Sequence, residues 1–594
     1  MQRAAPGMES GASVSGGEEG KQEMTGEPAS AAMKKDHGAA TPLSWQVAAV
    51  FLIASAAFVL LRSSDYFAVD GALRALEIFQ KHKPFLHPNN HLLYPINVYV
   101  WSGLLSALRI RAQGPLGFLA IAQAMNAVAA AACVAILYGI AYRLTKRASV
   151  AALVAGGWGV SRAVLAHATN SAEPMVGVLW SAAALALLLY GISRNRRWPV
   201  AGAGLLLGLA LATYQTMVLL CVPMLFLLCR YPAARGAQGP ESNDSSQTFW
   251  PLLKSRLPDV GFFLASFAAS IPMIYGTAYY LSGTKKLPEM VARFVQVDAA
   301  QVYGGASVMK LLTVLPGLTY ALFPCLPQHC GFQCLAAPEH RIWIPIAAIA
   351  ILTVAMAFIA IIVLTRKIWP QITAHERLAA TTCGVGLIAT IIPSVIWMPA
   401  YDKFWLQPLA CLFLGAGVVL FGAWSLPDRQ RVGVRLLPWL ACVFVAVLWA
   451  TNLAVAWTAA RQVPPSFAEA QEVARLTGTG DLVVGDWNDV FLVYSNMWAS
   501  RATGFNLPTQ ALQGAAISAS RLRDAVQHTQ QAGGKVFFLG VLDLSEKEWK
   551  PFLGDRLKLP YSALGQYRGC AQIVASFADN DRQITLQQYL PCDR

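Results

Sequence analysis

The chain alternates long apolar runs with short polar breaks. Runs lie near 45–61, 115–141, 149–166, 174–192, 198–213, 215–230, 258–281, 342–365, 378–397, 404–424 and 436–457. Each approaches the roughly 20 apolar residues that a helix needs to cross a bilayer core. A backbone in lipid must satisfy its own hydrogen bonds, so runs of this length read as helices. Two further apolar stretches do not fit as crossings once the basic loops are kept on one side. Residues 96–110 hold Asn97, Trp101 and Arg109 and read as an amphipathic helix lying in the interface. Residues 307–325, interrupted by Pro316 and Gly317, read as a re-entrant segment packed against protein. After Val455 the pattern changes, and 465–594 contain no spanning run. There DLVVGDW and KVFFLGVL read as strands, and SRLRDAVQHTQQAG as a helix closed by Gly533.

The predicted fold class is a polytopic α-helical membrane protein of about eleven crossings, one for each run, with a C-terminal soluble α/β domain. Three regions follow: a disordered cytoplasmic N-terminus over 1–43, a transmembrane domain over 44–460, and an extracytoplasmic α/β domain over 461–594. The N-terminal region is rich in Gly, Ala, Ser and Glu and cannot bury enough apolar surface to offset its ordering entropy. Lys34 and Lys35 lead into the first run, which reads as an uncleaved signal anchor, with Met24 and Met33 as alternative starts.

Composition excludes a water-soluble chain. Apolar residues make up 56% of the 594 and charged residues only 13%. The formal charge of +14 does not point to nucleic acid, because the basic residues sit in short loops between apolar runs. Loops at 143–148, 194–198, 229–256, 366–377 and 428–435 are the basic ones, which places them in the cytoplasm. By parity, the loop at 62–95, the turn at 167–172, residues 282–341, residues 398–403 and the C-terminus share the outer face. The expected location is a bacterial inner membrane, with the N-terminus cytoplasmic and the C-terminal domain periplasmic.

Of eleven cysteines, Cys133, Cys221, Cys229, Cys383, Cys411 and Cys442 fall in or beside apolar runs and read as small core residues. Cys325, Cys330 and Cys334 crowd one outer loop, and Cys570 and Cys592 lie in the C-terminal domain. An oxidising compartment suits disulfides in both places. Structural thiols, or a metal held with His329 or His340, are the alternatives in the outer loop.

The polar break at 62–95 carries the candidate chemistry. Ionisable groups at a bilayer edge cost desolvation energy unless they have a partner or a task. Asp70 precedes Gly71 and an amphipathic run with Val69, Leu73, Leu76 and Phe79 on one face. Asp70 serves either as a helix cap or as a general base toward an acceptor hydroxyl. Asp65 is the alternative acid, but its nearness to Arg62 favours an ion pair. His87 and His91 are spaced to share one face of a helix starting at Pro88. They suit hydrogen bonding to substrate or interfacial anchoring; a metal would need a third ligand that the nearby sequence lacks. Glu173 ends an outer turn, where it either caps the next helix or does chemistry. Tyr214 and Gln215 form a polar knot between two apolar runs. Asp402 and Lys403 open a span as an interfacial pair, or Lys403 grips a phosphate at headgroup level.

Taken together, VDGAL (69–73), LHPNNHLLYP (86–95), NSAEPM (170–175), LALATYQTMVLL (209–220), the late DKFWLQP (402–408) and GDWNDVFLVY (485–494) resemble the GT-C membrane glycosyltransferases. The similarity is greatest to the protein O-mannosyltransferase-like branch, which carries Asn-His where this chain has Tyr214-Gln215. The resemblance implies a polyprenyl-phosphate-linked sugar as donor, a hydroxyl acceptor and a single inverting displacement. It implies Asp70 as base, and Lys403 with His87 or His91 at the departing phosphate. Glu173, Tyr214 and Gln215 would bind substrate. The resemblance makes no cofactor certain and accommodates a divalent metal. Besides membrane lipids and these substrates no partner is implied, and nucleic acid is excluded. The rival classes are a lipid or solute transporter, which would gather ionisable groups near the midplane, and a non-catalytic assembly factor.

Overall fold

The computed structural model describes residues 43–62, 69–82, 91–231, 249–281, 286, 288–289, 307–325, 341–399, 401–424, 436–461, 465–498, 501–511, 515–555, 557–579 and 582–591. The helices that position the site are α1 (Leu43–Leu60), α2 (Val69–Lys81), α3 (Tyr94–Ala107), α4 (Gly114–Thr145), α5 (Ala148–Gly159), α6 (Arg162–Ala168), α7 (Pro174–Arg194), α8 (Arg197–Thr213), α9 (Cys221–Arg230), α10 (Phe249–Ile271), α11 (Trp343–Ile368), α12 (Ala374–Ile396), α13 (Leu406–Trp424) and α14 (Leu436–Ala459).

Every run expected to cross the bilayer is helical. Among the described residues, eight helices are long and apolar enough to span. The α5–α6 pair is one stretch bent by 67°, while α8 and the Gln215–Arg230 stretch are apolar but shorter. The expected interfacial helix at 96–110 is α3, and the stretch at 307–325 folds as two short helices, Val308–Leu312 and Val314–Leu322. The chain is an integral membrane protein.

Burial sorts the spans into centre and periphery. In α4, 72% of the most apolar window is buried, and α1, α3, α5, α6, α7 and α13 pack around it. Its sequence runs AVAAAAC through the middle, and small side chains let neighbouring backbones approach closely. In contrast, α11 is the most apolar span yet only 11% buried. A helix apolar on all sides and exposed is one that faces lipid.

The α8–α10 contact uses the same device. Gly204 and Gly208 lie one turn apart on α8, and a Cβ at either would collide with Ser266 or Ser270 of α10. Replacing Gly204 by Val is therefore expected to separate the two helices. The overpacking cost is about 1–3 kcal/mol, read as a lowered thermal midpoint in detergent. Gly261, also on α10, has open space around it, and its change to Ala should leave that midpoint in place.

The C-terminal region forms a five-stranded mixed sheet in the order β2-β1-β3-β5-β4. The strands are β1 (Leu482–Gly485), β2 (Thr503–Asn506), β3 (Val536–Leu539), β4 (Ala571–Asp579) and β5 (Arg582–Tyr589). Strand β1 is parallel to β2 and β3, and β5 is antiparallel to β3 and β4. Central β1 and β3 are buried along their whole length, which is why both read as continuous apolar runs. The expected helix at 520–533 is Ala515–Gln531, and Gly533 closes it with φ of +78°, a left-handed conformation that glycine adopts at little cost. Strands β2, β4 and β5 were not separated by sequence pattern. Cys570 is disulfide-bonded. Cys325 is a buried free thiol, so the expected outer-loop disulfide does not include it; Cys330, Cys334, Cys592, His329 and His340 lie outside the described residues.

Candidate active site

Helix α2 meets the rest of the bundle at Gly71. A Cβ there would overlap the carbonyl oxygen of Ser171 and lie 3.3 Å from Ala172 Cα. Only glycine permits this approach, and it seats the first turn of α2 on the turn between α6 and α7. Asp70 is the second residue of α2, inside that first turn and not at the cap position ahead of Val69, so the helix-cap expectation does not hold. Asp65 and His87 lie outside the described residues.

The 170–173 turn is held from two further sides. Tyr94, at the start of α3, donates its hydroxyl proton to Ser171 O at 2.8 Å. Asn126 of α4 donates Nδ2 to Asn170 O at 2.7 Å and to Ala172 O at 2.6 Å. Tyr94 is fully covered; burial, followed by the nearby Glu173 carboxylate, pushes its phenol well above the ordinary value. It therefore stays neutral and remains a donor. Glu173 itself is buried, at 5% exposure. It occupies the residue before α7 but makes no side-chain cap bond, so capping does not account for it. Burying a carboxylate is costly unless it is paired.

His91 is not on a helix shared with His87. Its backbone is left-handed with φ of 52°, so a helix beginning at Pro88 does not run through it. Instead its ring stacks on Tyr214 with centroids 5.1 Å apart and planes 9° from parallel. Leu93 N–H donates to Ala212 O at 3.1 Å, fastening this segment to the end of α8. Tyr214 breaks α8 in an extended conformation (φ −152°, ψ 112°), and a 3-10 helix, Gln215–Leu220, follows. The polar knot expected at 214–215 is thus a real break between α8 and α9.

Asp402 and Lys403 do not pair with each other. They begin a 3-10 turn, Asp402–Trp405, ahead of α13. Asp402 accepts from Arg162 Nη1 at 3.1 Å and lies 3.0 Å from His167 Nε2, both on α6. Arg162 Nη2 also donates to Tyr320 Oη at 2.6 Å, with the guanidinium 3.6 Å from the centre of that ring. Lys403 Nζ lies 4.6 Å from the Tyr401 ring and 5.6 Å from the Phe404 ring. Burial raises the nearby Cys325 thiol to about 11, with Arg162 pulling the other way.

These pieces gather at one end of the bundle. The segment 162–173 touches α2 through Ser171, α3 through Tyr94 and the Lys403 turn through Arg162 and His167. The GDWND stretch is a strand-turn-helix, in which Asn488 N–H donates to Asp486 Oδ1 at 2.9 Å and Phe491 N–H to Asn488 Oδ1 at 2.7 Å. The helix it opens, Asp489–Trp498, packs on α2. The C-terminal domain therefore covers the element that carries Asp70. Among the described residues no three His, Cys, Asp or Glu side chains converge as metal ligands.

Sequence reasoning passed over Arg162, His167, Tyr94, Asn126 and Tyr320. For Arg162 and His167 a signal existed, since both interrupt or end an apolar run where charge is expensive. The others looked like ordinary interfacial or core residues.

No protein-family model matches the chain, and no curated protein matches it. Among solved structures it is similar to ArnT from Cupriavidus metallidurans bound to undecaprenyl phosphate, with 14% identity, a TM-score of 0.54, and coverage of 93% of this chain and 99% of that one. The apo state of the same protein gives 14% identity and a TM-score of 0.55 over 92% and 98% of the two chains. That likeness shows the fold: over most of its length this chain is folded as those structures are, in agreement with the GT-C-like fold expected from its motifs.

Proposed function

We propose that the chain is a membrane glycosyltransferase that moves a sugar from a polyprenyl phosphate to an acceptor hydroxyl at the outer face of a bacterial inner membrane. One observation carries this reading most strongly. The first turn of α2, Glu173, the His91–Tyr214 stack and the Lys403 turn converge at one bundle end, beneath a C-terminal domain. The fold match to an ArnT structure holding undecaprenyl phosphate supports the donor class. The ArnT match leaves the O-mannosyltransferase-like branch as an expectation from the motifs alone. Basic loops at the opposite ends of the helices support a cytoplasmic N-terminus and a periplasmic C-terminal domain.

In the proposed reaction the acceptor oxygen attacks the anomeric carbon as the bond from that carbon to the phosphate oxygen breaks. Asp70 takes the hydroxyl proton, and the configuration inverts in this single displacement. Lys403, with His91 and His87, meets the charge that gathers on the departing lipid phosphate. Glu173, Tyr214 and Gln215 line the sugar and acceptor side. The chemistry needs no metal, although a divalent ion at the phosphate would be compatible with it. Gathering of the polar groups at helix ends, away from mid-span, favours this enzyme over a transporter.

Lys403→Ala tests the donor assignment. A charge-assisted hydrogen bond to phosphate is worth about 1.5–3 kcal/mol, so binding of undecaprenyl phosphate in nanodiscs should weaken by at least about tenfold. Unchanged affinity, measured by native mass spectrometry, would remove Lys403 from the site.

A further inference from the structure

Asp402 stands next to Lys403 but has no part in the displacement just described. Its carboxylate is nonetheless enclosed: Arg162 and His167 each approach one of its oxygens, and its side chain is only 19% exposed. A carboxylate so placed needs paired donors to offset its desolvation. Both donors come from α6, the short arm beyond the 67° bend. An ionised carboxylate can only accept, so His167 presents Nε2–H to it; His167 Nδ1 is buried without a partner among the described residues. Arg162 is anchored in turn by the Tyr320 hydroxyl and ring. The turn is also pinned behind Lys403, where Trp405 Nε1 donates to Pro399 O at 2.8 Å and Trp158 Nε1 to Leu406 O at 3.0 Å.

The placement of α6 gives this cluster a consequence beyond stability. The same segment continues through Ser171, on which α2 is seated, to Glu173 at the start of α7. A strut from α6 to Asp402 therefore sets the distance between the acidic half of the site and the Lys403 half. We infer that Arg162 and His167, acting through Asp402, are positioning residues that hold Lys403 at the donor phosphate. The inference rests on the reading of Lys403 as the phosphate cation. The strut touches no reacting atom; it fixes the turn on which Lys403 is carried. Residues joined in one ion-pair network are energetically coupled, so loss of the strut should register in donor binding.

A double-mutant cycle separates this role from a merely structural one. Affinity for undecaprenyl phosphate is measured by native mass spectrometry in nanodiscs for wild type, Asp402→Asn, Lys403→Ala and the double variant. Lys403→Ala is expected to lose at least about tenfold. Asp402→Asn alone should lose about three- to tenfold, the size of coupling usual between residues in one ion-pair network. The double variant should bind no more weakly than Lys403→Ala, because a strut has nothing to position once the ammonium is gone. Arg162→Lys, which keeps the charge but loses the forked geometry, should fall between wild type and Asp402→Asn. If Lys403→Ala binds as wild type does, the phosphate reading fails and this inference with it. If Lys403→Ala is weakened while Asp402→Asn is not, or the two losses simply add, the strut alone is overturned. Should Asp402→Asn not yield monodisperse protein, His167→Gln removes one donor and enters the same cycle with the same criteria.

Discussion

Asp70→Asn is expected to lower sugar transfer by about 10²–10⁴-fold, the usual worth of a positioned general base. This substitution separates the two roles open to Asp70. An acid in the first turn that only complements the helix dipole is worth about 0.3–1 kcal/mol, so a residue needed only to support α2 would lose a little stability and leave transfer in place. A base would not, because a carboxamide cannot take the acceptor's proton. The measurement is transfer from a polyprenyl-phosphate sugar to an acceptor extract, in nanodiscs, beside a thermal midpoint showing that the protein is folded. Near-wild-type transfer by the folded variant would reduce Asp70 to a supporting acid in the first turn of α2 and direct attention to Asp65 and Glu173.

Gly71→Ala is expected to damage both stability and transfer through a single methyl group. The new Cβ would coincide with the Ser171 carbonyl oxygen, and neither partner can yield easily. Gly71 is inside a helix, while the 170–173 turn is tied down by Tyr94 and Asn126. Helix α2 must tilt away, at a cost at or above the roughly 1–3 kcal/mol of ordinary overpacking. A shift of about 1 Å at Asp70 is enough to cost transfer around a hundredfold. Gly103→Ala in α3 is the control. It has open space on every side, and Ala is the better helix former by about 1 kcal/mol, so its thermal midpoint should hold or rise. Wild-type midpoint and transfer in Gly71→Ala would mean that α2 is not seated on this turn.

The GT-C fold makes these expectations specific, because it turns a list of polar breaks into one end of one bundle. Segment 162–173 is the hinge of that arrangement. It carries the α6 donors to Asp402, the Ser171 carbonyl beneath Gly71 and the buried Glu173. The C-terminal domain adds the helix Asp489–Trp498 against α2. The helix that carries Asp70 therefore lies against that domain.

What the sequence by itself determined is the set of apolar helices and the two central strands, β1 and β3. Apolar runs near 20 residues have little choice in lipid but to become helices. For the same reason α11 could be read as a span from hydropathy alone, and β1 and β3 as buried strands from unbroken apolar runs. The glycine at 71, the break at 214–215 and the buried acid at 173 were likewise visible as local departures from pattern. Only the tertiary structure decided what each departure meets. Arg162 and Asp402 are separated by 240 residues, Tyr94 and Ser171 by 77; no local period encodes such pairings. Asp402 beside Lys403 read as a pair of neighbours, yet the carboxylate turned to α6 because two partly buried donors offset its desolvation better than one ammonium set against aromatic rings. His91 read as a helical partner of His87, yet a left-handed backbone placed it on Tyr214. Hydropathy acts residue by residue and survives in one dimension, whereas the pairing of buried charge depends on which helix ends the packed bundle brings together.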